Sequence, residues 1–202
     1  MELIQKPKNE EQEREIKNNK KKSSRYELWE NIKTLVLTAV ITILFMEFIA
    51  QLGVVRGESM ANTFHDANIV LMEKLTQRFS ELDRFDVVIF NTSNPKKPHY
   101  IKRIIGLPGE TIRIDEEGTI YINDEKLYEY YGREIIADPG IAINPITLGE
   151  DEYFVMGDNR NNSIDSRFAE IGPIKKDVIL GHVIYGLSPF KNPGIQQRRK
   201  NN

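Results

Sequence analysis

The feature that most constrains this chain is a predominantly apolar run at residues 34–55, close to its N-terminus. As a helix rising roughly 1.5 Å per residue, a run of this length spans about 33 Å, which matches a hydrocarbon core of roughly 30 Å. A cleaved targeting segment has a shorter apolar region of about 7 to 15 residues, followed by small residues. We therefore predict a retained transmembrane helix over residues 31–55. Ser24 and Glu27 have the spacing of a capping box, which predicts that the helix begins just before the membrane.

The charges on either side of this run predict its orientation. Basic residues outnumber acidic ones over residues 14–33, and positively charged flanks stay on the cytoplasmic side. We expect residues 1–30 to be cytoplasmic, residues 56–192 to form an extracytoplasmic domain, and the basic residues 193–202 to be a flexible tail. The same rule applies to a cell membrane and to a thylakoid membrane, so both remain open.

Composition removes several classes of function. The net charge of -2 leaves no globally basic surface, so we expect no nucleic-acid partner. The absence of cysteine excludes disulfides, thiolate catalysis and cysteine-ligated metal. The three histidines are far apart and lack metal-binding spacing, so we expect neither a metal site nor a cofactor.

Beyond the apolar run, the sequence consists of short segments of β type separated by turn signals. The segment from 111 to 127 alternates around a turn at 115–118, which predicts a hairpin. No long amphipathic helix is evident, so we predict a mainly β, antiparallel domain after a single transmembrane helix. The predicted strands lie at residues 68–74, 85–91, 99–106, 111–114, 119–122, 152–156 and 178–187.

Two residues have chemistry that a plain β domain does not need. Ser59 lies two residues after Gly57, just past the end of the apolar run. Its hydroxyl is a possible nucleophile, although most serines in such glycine-containing segments only form loops. Lys102 interrupts an apolar strand and shares a face with Tyr100 and Ile104. Burial can lower a lysine pKa by up to 3 to 5 units, which would make Lys102 a base near neutral pH. The alternative is an edge-strand lysine that prevents aggregation.

A dense polar loop at residues 157–167 follows the predicted strand 152–156. Its hydroxyls and charges could orient groups in a site. Its carboxylate and amide oxygens could also bind calcium, but the loop lacks the alternation and terminal glutamate of an EF-hand loop.

Five features in order carry a resemblance to a known family. The apolar run is followed by GESM at 57–60, RFDVVIF at 84–90, YIKRIIGLPGE at 100–110 and GDNRNNSIDSR at 157–167. This order resembles the bacterial type I signal peptidases (leader peptidases, S26 family) over about residues 30–190. The resemblance implies a membrane-bound Ser/Lys endopeptidase that acts through an acyl-enzyme. It assigns Ser59 as nucleophile with its backbone N–H in the oxyanion hole, Lys102 as base, Ser163 as the hydroxyl that orients the lysine, and Asp165 and Arg167 as support for the loop.

The resemblance also implies the substrates, which are signal-peptide-bearing precursors cleaved after a small-x-small sequence at the surface of a lipid bilayer. Gly57 lacks the side-chain oxyanion donor of some relatives. Asn62 stands where the family usually has proline, and Phe64 where it has leucine, so we expect a looser loop and a narrower pocket. The positions that match the family's pocket walls are Val55, Gly57, Met60, Phe64, Tyr100 and Ile101.

Two other functions fit parts of the sequence. A catalytically weak homologue would bind precursors without cleaving them, and the change at Asn62 motivates this reading. A self-cleaving regulator related to SOS-type repressors has a similar Ser/Lys domain. It would need an N-terminal DNA-binding helix-turn-helix, and residues 1–55 contain the apolar run instead.

Overall fold

The computed structural model describes residues 8–132 and 134–187, which form two compact units. The first unit is helix α1, Lys8–Phe48. Its segment Arg25–Phe48 is long and apolar enough to cross a membrane. Helix α1 already begins at Lys8, so the helix start predicted at Ser24 is wrong. Lysine and glutamate are strong helix formers, and they extend the helix in the N-terminal direction.

Three threonines place hydroxyl groups within the apolar part of α1. The hydroxyls of Thr34, Thr38 and Thr42 donate to the backbone carbonyls four residues earlier, at 2.8–2.9 Å. Each hydroxyl is thereby satisfied within the helix, which lowers the cost of placing it in hydrocarbon. The hydrogen bonding of these threonines is therefore compatible with a membrane span.

The predicted transmembrane helix is wrong at its C-terminal end. Helix α1 ends at Phe48, and strand β1 follows at Ala50–Val54, paired antiparallel with strand β2 at Ile69–Glu73. The apolar run therefore contains part of a helix and an edge strand. Hydropathy does not separate the two because Leu52 and Val54 remain exposed on the strand and look like lipid-facing residues in the sequence.

The second unit is built on two antiparallel sheets and includes a single turn of helix, α2, at Thr76–Phe79. The large sheet has the order β1-β2-β11-β3-β4-β9-β10, and the small sheet has the order β7-β6-β5-β8. The mainly β, antiparallel fold class is confirmed. The remaining strands are β3 Val87–Asn91, β4 His99–Gly106, β5 Thr111–Ile114, β6 Ile120–Ile122, β7 Glu125–Lys126, β8 Ile146–Thr147, β9 Glu152–Met156, β10 Ile174–Lys175 and β11 Ile179–Leu187.

All seven predicted strands are present, and β4, β5 and β9 have the predicted bounds. The predicted hairpin is the β5–β6 pair, with Ile112 opposite Ile122. Strand β1 and the two-residue strands β7, β8 and β10 were not predicted, since a two-residue strand is too short to show an alternating pattern.

Candidate active site

The two residues with unusual chemistry meet in the second unit. Lys102 lies in the middle of β4, opposite Val88 of β3, and Ser59 lies in the turn that follows β1. The Lys102 Nζ and Ser59 Oγ atoms are 2.7 Å apart. At this distance a neutral amine can accept the hydroxyl proton, which is the first step of nucleophilic catalysis by serine.

The predicted burial of Lys102 is confirmed: only 3% of the residue is exposed. Burial disfavours the charged amine and is the largest cause of a lysine pKa that falls from 10.5 to about 8. The carboxylates of Asp165 and Asp158 act in the opposite direction, whereas the charges of Arg167 and Lys97 lower the pKa further. A substantial fraction of Lys102 is therefore neutral in mildly alkaline solution.

Both carboxylates near Lys102 are held by arginine. Arg103 binds Asp158 with Nε–Oδ1 at 2.8 Å and Nη2–Oδ2 at 2.6 Å, and both side chains are buried. Arg167 binds Asp165 in the same bidentate geometry, with Nε–Oδ1 at 2.8 Å and Nη2–Oδ2 at 2.9 Å. Because each negative charge has its own positive partner, the attraction of the carboxylates for a charged Lys102 is reduced.

The polar loop 157–167 holds the turn that carries Ser59. The Asn159 backbone N–H donates to the Ser59 carbonyl at 3.0 Å, and the Asn159 side chain donates to the Glu58 carbonyl at 3.0 Å. Gly157 lies against the same turn, because a Cβ built on it would be 2.5 Å from the Ser59 carbonyl oxygen. Its own N–H donates to Asp165 Oδ2 at 3.0 Å. The loop thus connects the buried ion pairs to the backbone of Ser59.

Ser163 lines the same cavity as Ser59 and Lys102. It is 9% exposed, and its hydroxyl has no hydrogen-bond partner in the described part of the chain. The expected contact with the Lys102 amine is not made. Ser163 packs instead against Gly157, where a Cβ would lie 2.3 Å from the Ser163 Oγ.

The Ser59 backbone N–H is a free donor in the described part of the chain. Within residues 8–132 and 134–187, the structure describes no acceptor for the Ser59 N–H. Gly57 has a φ of 90°, a left-handed conformation that favours glycine, and its N–H donates to Asp66 Oδ1 at 2.8 Å. The Gly57 N–H is therefore occupied, while the Ser59 N–H is available to an oxyanion.

Ser59 and Lys102 lie in a cleft of about 990 Å³. Four of the six predicted pocket residues line it, namely Val55, Gly57, Tyr100 and Ile101. The other two, Met60 and Phe64, are not among its lining residues and are buried in an apolar cluster with Val70, Val87 and Val183. Val55 belongs to the same buried cluster and still lines the cleft, so burial alone does not decide the pocket-wall prediction for Met60 and Phe64, which stays a prediction.

Phe64 has its own space in the core. A Cβ on Gly186 would lie 2.3 Å from the Phe64 ring, so the ring occupies room that only a glycine at position 186 leaves open. Gly186 therefore provides the space in which the Phe64 ring packs.

Sequence reasoning missed several residues that shape the site. Arg103 looks like the outward-facing neighbour of Lys102, yet its guanidinium is buried between Asp158 and the ring of Tyr131, with 3.5 Å from Cζ to the ring centroid. The resemblance had already assigned Asp165 and Arg167 to the support of the polar loop, but it gave no partner for Asp158, which binds Arg103. The cleft residues Lys96, Lys97 and His99 gave no comparable signal.

In the part of the chain that the structure describes, the carboxylates and histidines do not assemble into a cation site. The described residues contain no group of three or more His, Asp or Glu side chains that could hold a metal ion. The two acidic residues of the polar loop, Asp158 and Asp165, are each paired with an arginine, which argues against the calcium-binding alternative for this loop.

The buried charge of Lys102 has a consequence for stability. Below pH 8 the lysine is charged in both folded and unfolded chains, so the folded state carries the full burial cost. Between pH 8 and 10.5 only the folded chain loses the proton, so stability rises with pH. At pH 6.5 a Lys102→Met change should stabilise the fold by about 2 kcal/mol. It removes the cost of burying the charged amine, roughly 3 kcal/mol, and loses about 1 kcal/mol with the hydrogen bond to Ser59.

This change is expected to raise the melting temperature by about 4 to 8 °C at pH 6.5. The measurement is thermal unfolding of the full chain in detergent micelles, followed by near-ultraviolet circular dichroism. The gain should shrink at pH 10. The same change at the exposed Lys175 is the control and should shift the midpoint by about a degree or less. A lower midpoint for Lys102→Met at pH 6.5 would show that the buried charge is not the dominant cost.

Comparisons with known proteins match most of this chain, including the segment that forms the cleft. The family model for signal peptidase, peptidase S26, matches residues 28–186. Signal peptidase I T of Bacillus subtilis (strain 168) is 36% identical over 178 residues, which cover 85% of this chain and 90% of that protein. Signal peptidase I of Bacillus licheniformis is 35% identical over 183 residues, with 87% and 95% covered. Probable signal peptidase I-2 of Synechocystis is 32% identical over 182 residues, with 87% and 81% covered.

The matched segment contains most of the apolar helical stretch and the whole cleft. Similarity of this extent settles the family and the reaction. The apolar stretch and these relatives together indicate a membrane-anchored protein. The chain therefore belongs to the signal peptidase family, peptidase S26, and is a serine peptidase that removes signal peptides.

Proposed function

We propose that Ser59 is the nucleophile and Lys102 the general base with which this signal peptidase cleaves precursor proteins. The observation that carries the proposal is the 2.7 Å separation of Lys102 Nζ and Ser59 Oγ, at a lysine whose pKa is lowered to about 8. A lysine with an ordinary pKa would be almost fully protonated at neutral pH and would be a poor base.

The chemistry proceeds in two half-reactions. The neutral Lys102 amine takes the Ser59 proton as Oγ attacks the scissile carbonyl, and the resulting ammonium gives that proton to the leaving amine. An acyl-enzyme on Ser59 remains. Water then attacks the ester while Lys102 takes a proton from it, and the resulting ammonium returns this proton to Ser59 Oγ as the ester bond breaks. The signal peptide leaves with a new carboxylate, and Ser59 and the neutral Lys102 are regenerated.

Two further groups support these steps. The Ser59 N–H, which has no acceptor in the described residues, stabilises the oxyanion as it forms. We assign the Ser163 hydroxyl to the Lys102 amine as a hydrogen-bond partner during the reaction. Support comes from its burial without a partner beside the same cavity, because a buried hydroxyl gains free energy when it acquires a hydrogen bond. Asp165 and Arg167 hold the loop that carries Ser163.

The cleft suits an extended peptide. Strand β4 pairs with β9 only from Arg103 onward, so Tyr100 and Ile101 have a strand neighbour on one side, in β3, within the described residues. A precursor can add its backbone to the other side of this strand, while alternate side chains enter the cleft. The apolar lining by Val55, Tyr100 and Ile101 fits the small apolar residues that precede a cleavage site.

The membrane supplies the second partner. We assign residues 31–48 to a single bilayer crossing, residues 1–30 to the cytoplasm, and residues 56–192 to an extracytoplasmic catalytic domain, because the basic residues precede the apolar stretch. The tail 193–202 lies outside the described residues. A cell membrane and a thylakoid membrane both satisfy this assignment.

The pH dependence of processing tests the proposal. Purified full-length protein in detergent micelles is given a model precursor whose cleavage region contains no titratable side chains. Because the base must be neutral, kcat/KM should rise about tenfold per pH unit below pH 8 and level off above it. Mass spectrometry of the products should locate the cut after a small-x-small sequence. A rate that is constant between pH 6 and 9 under conditions where chemistry is rate-limiting would contradict a lysine base.

A further inference from the structure

Asn62 occupies the turn that follows Ser59, and its side chain makes contacts outside that turn. The Asn62 Nδ2 group donates to the carbonyl of Asp158 at 2.9 Å and to the carbonyl of Tyr131 at 3.2 Å. The side-chain amide therefore uses both of its N–H donors. The two acceptors come from segments far away in sequence, so Asn62 connects the Ser59 turn to two other parts of the domain.

Both acceptor residues also contact the buried Arg103. The Asp158 carboxylate binds Arg103 and accepts a hydrogen bond from the Thr63 hydroxyl, and the Tyr131 ring covers the Arg103 guanidinium. Arg103 directly follows Lys102 in β4. The Asn62 amide thus connects the nucleophile's turn to the residues that fix the strand position next to the lysine.

The turn itself has few internal constraints. Its backbone is closed by Ala61 N–H to the Glu58 carbonyl and by Phe64 N–H to the Met60 carbonyl. These bonds shape the turn but do not fix its position relative to β4. The attachments that do so come from the 157–159 segment and from Arg103 of β4. The Asn62 amide donates to the Asp158 carbonyl, while the Thr63 hydroxyl donates to the Asp158 carboxylate and accepts from Arg103 Nη2 at 3.1 Å.

We propose that Asn62 is a positioning residue, which holds the Ser59 hydroxyl within hydrogen-bonding distance of Lys102. This inference rests on the proposed catalytic roles of those two residues. The family resemblance puts a proline at this position, whose ring restricts the backbone. Here two side-chain hydrogen bonds restrict the turn in place of the proline ring. The looser loop that was expected from the loss of proline therefore does not follow from this substitution.

The positioning role depends on the two N–H donors of the Asn62 side chain. It can therefore be tested by a replacement that keeps the shape of the side chain and removes these donors. Asn62→Asp keeps the shape but presents acceptor oxygens to two carbonyl oxygens, and Asn62→Ala removes both donors without adding charge. Asn123→Asp is the matched control. The Asn123 amide acts through its Oδ1, which accepts from the Thr111 N–H at 2.9 Å, and a carboxylate can do the same.

The experiment measures steady-state and single-turnover cleavage of the model precursor by full-length variants in micelles, together with melting temperature and precursor affinity. A displacement of the nucleophile by about 1 Å can cost on the order of 100-fold in rate. We expect kcat to fall about 10-fold for Asn62→Ala and about 100-fold for Asn62→Asp, with KM within about twofold of wild type. Asn123→Asp should retain the wild-type kcat.

The outcomes separate the two proposals. A Ser59→Ala variant with wild-type activity would overturn the catalytic assignment itself. If Ser59→Ala is inactive while both Asn62 variants keep the wild-type kcat, only the positioning role is overturned. A loss that appears wholly as weaker precursor binding also overturns it. If Asn62→Asp is unfolded at the assay temperature, the single-turnover rate of Asn62→Ala decides.

Discussion

Alanine in place of Ser59 is expected to reduce precursor processing by roughly 10⁴- to 10⁶-fold, the range seen when a serine peptidase loses its nucleophile. The side chain is small and lies at the cleft, so its removal should leave the fold and precursor binding intact. What remains is water attack assisted by the oxyanion donor and by substrate positioning. The expected signature is an unchanged precursor affinity with almost no turnover.

The same loss is expected for Lys102→Ala, and the double variant should be no worse than either single variant. Each residue acts through the other, because an unactivated hydroxyl is a weak nucleophile and a base without its hydroxyl has no proton to take. Lys102→Arg should also be inactive at every pH, because a guanidinium does not release its proton in this range. Together the variants measure interdependence rather than two separate contributions.

Single-turnover cleavage with excess enzyme measures these losses, with affinity determined separately by titration. Ser80→Ala and Lys175→Ala are the matched controls at exposed positions away from the cleft, and both should process at the wild-type rate. Two results are incompatible with the paired roles: normal turnover by Ser59→Ala, or a double variant whose loss equals the product of the two single losses.

How far the fold was predictable depends on the length of each element. Strand β4 contains eight residues and β9 five, with turn signals on both sides, and their bounds were predicted. Strand β1 was hidden in the apolar run, because an exposed apolar strand and a lipid-facing helix have similar hydropathy. Its identity is decided by the pairing with β2, a long-range contact that local pattern does not encode.

The candidate site divides in the same way. The sequence predicted that Lys102 is buried, since its strand neighbours are apolar. It did not predict that Arg103, one residue along, is buried too. Alternation along the strand puts Arg103 on the face opposite to Lys102. That face is covered by the loop that contains Asp158 and by Tyr131. The arginine is stable there because it has a carboxylate and an aromatic ring as partners.

Asn62 shows why a motif comparison by itself misjudges a substitution. Loss of a proline predicts a more flexible turn when only the local backbone is considered. The compensation comes from carbonyls of Tyr131 and Asp158, which are 69 and 96 residues away. Only a structure reveals that these groups lie within reach of the side chain.

The second large loss of activity is expected from a substitution at a glycine of the polar loop. A Gly157→Ala substitution would place its Cβ 2.5 Å from the Ser59 carbonyl oxygen and 2.3 Å from the Ser163 Oγ. The glycine cannot move away easily, because its N–H is bound to Asp165 and its carbonyl to the Arg160 guanidinium. The Ser59 turn must move instead, and we expect kcat to fall at least about 100-fold.

The matched control is Gly106→Ala, which overpacks the core at a distance from the cleft. Its Cβ would lie 2.8 Å from Leu148 Cδ1 and 3.1 Å from Phe154 Cβ, so we expect a stability loss of about 1 to 3 kcal/mol with kcat per folded molecule retained. Measured melting temperature and single-turnover rate separate the two variants. If Gly157→Ala loses stability like Gly106→Ala but keeps its cleavage rate, the Ser59 turn tolerates displacement, and the close packing of the polar loop has no role in catalysis.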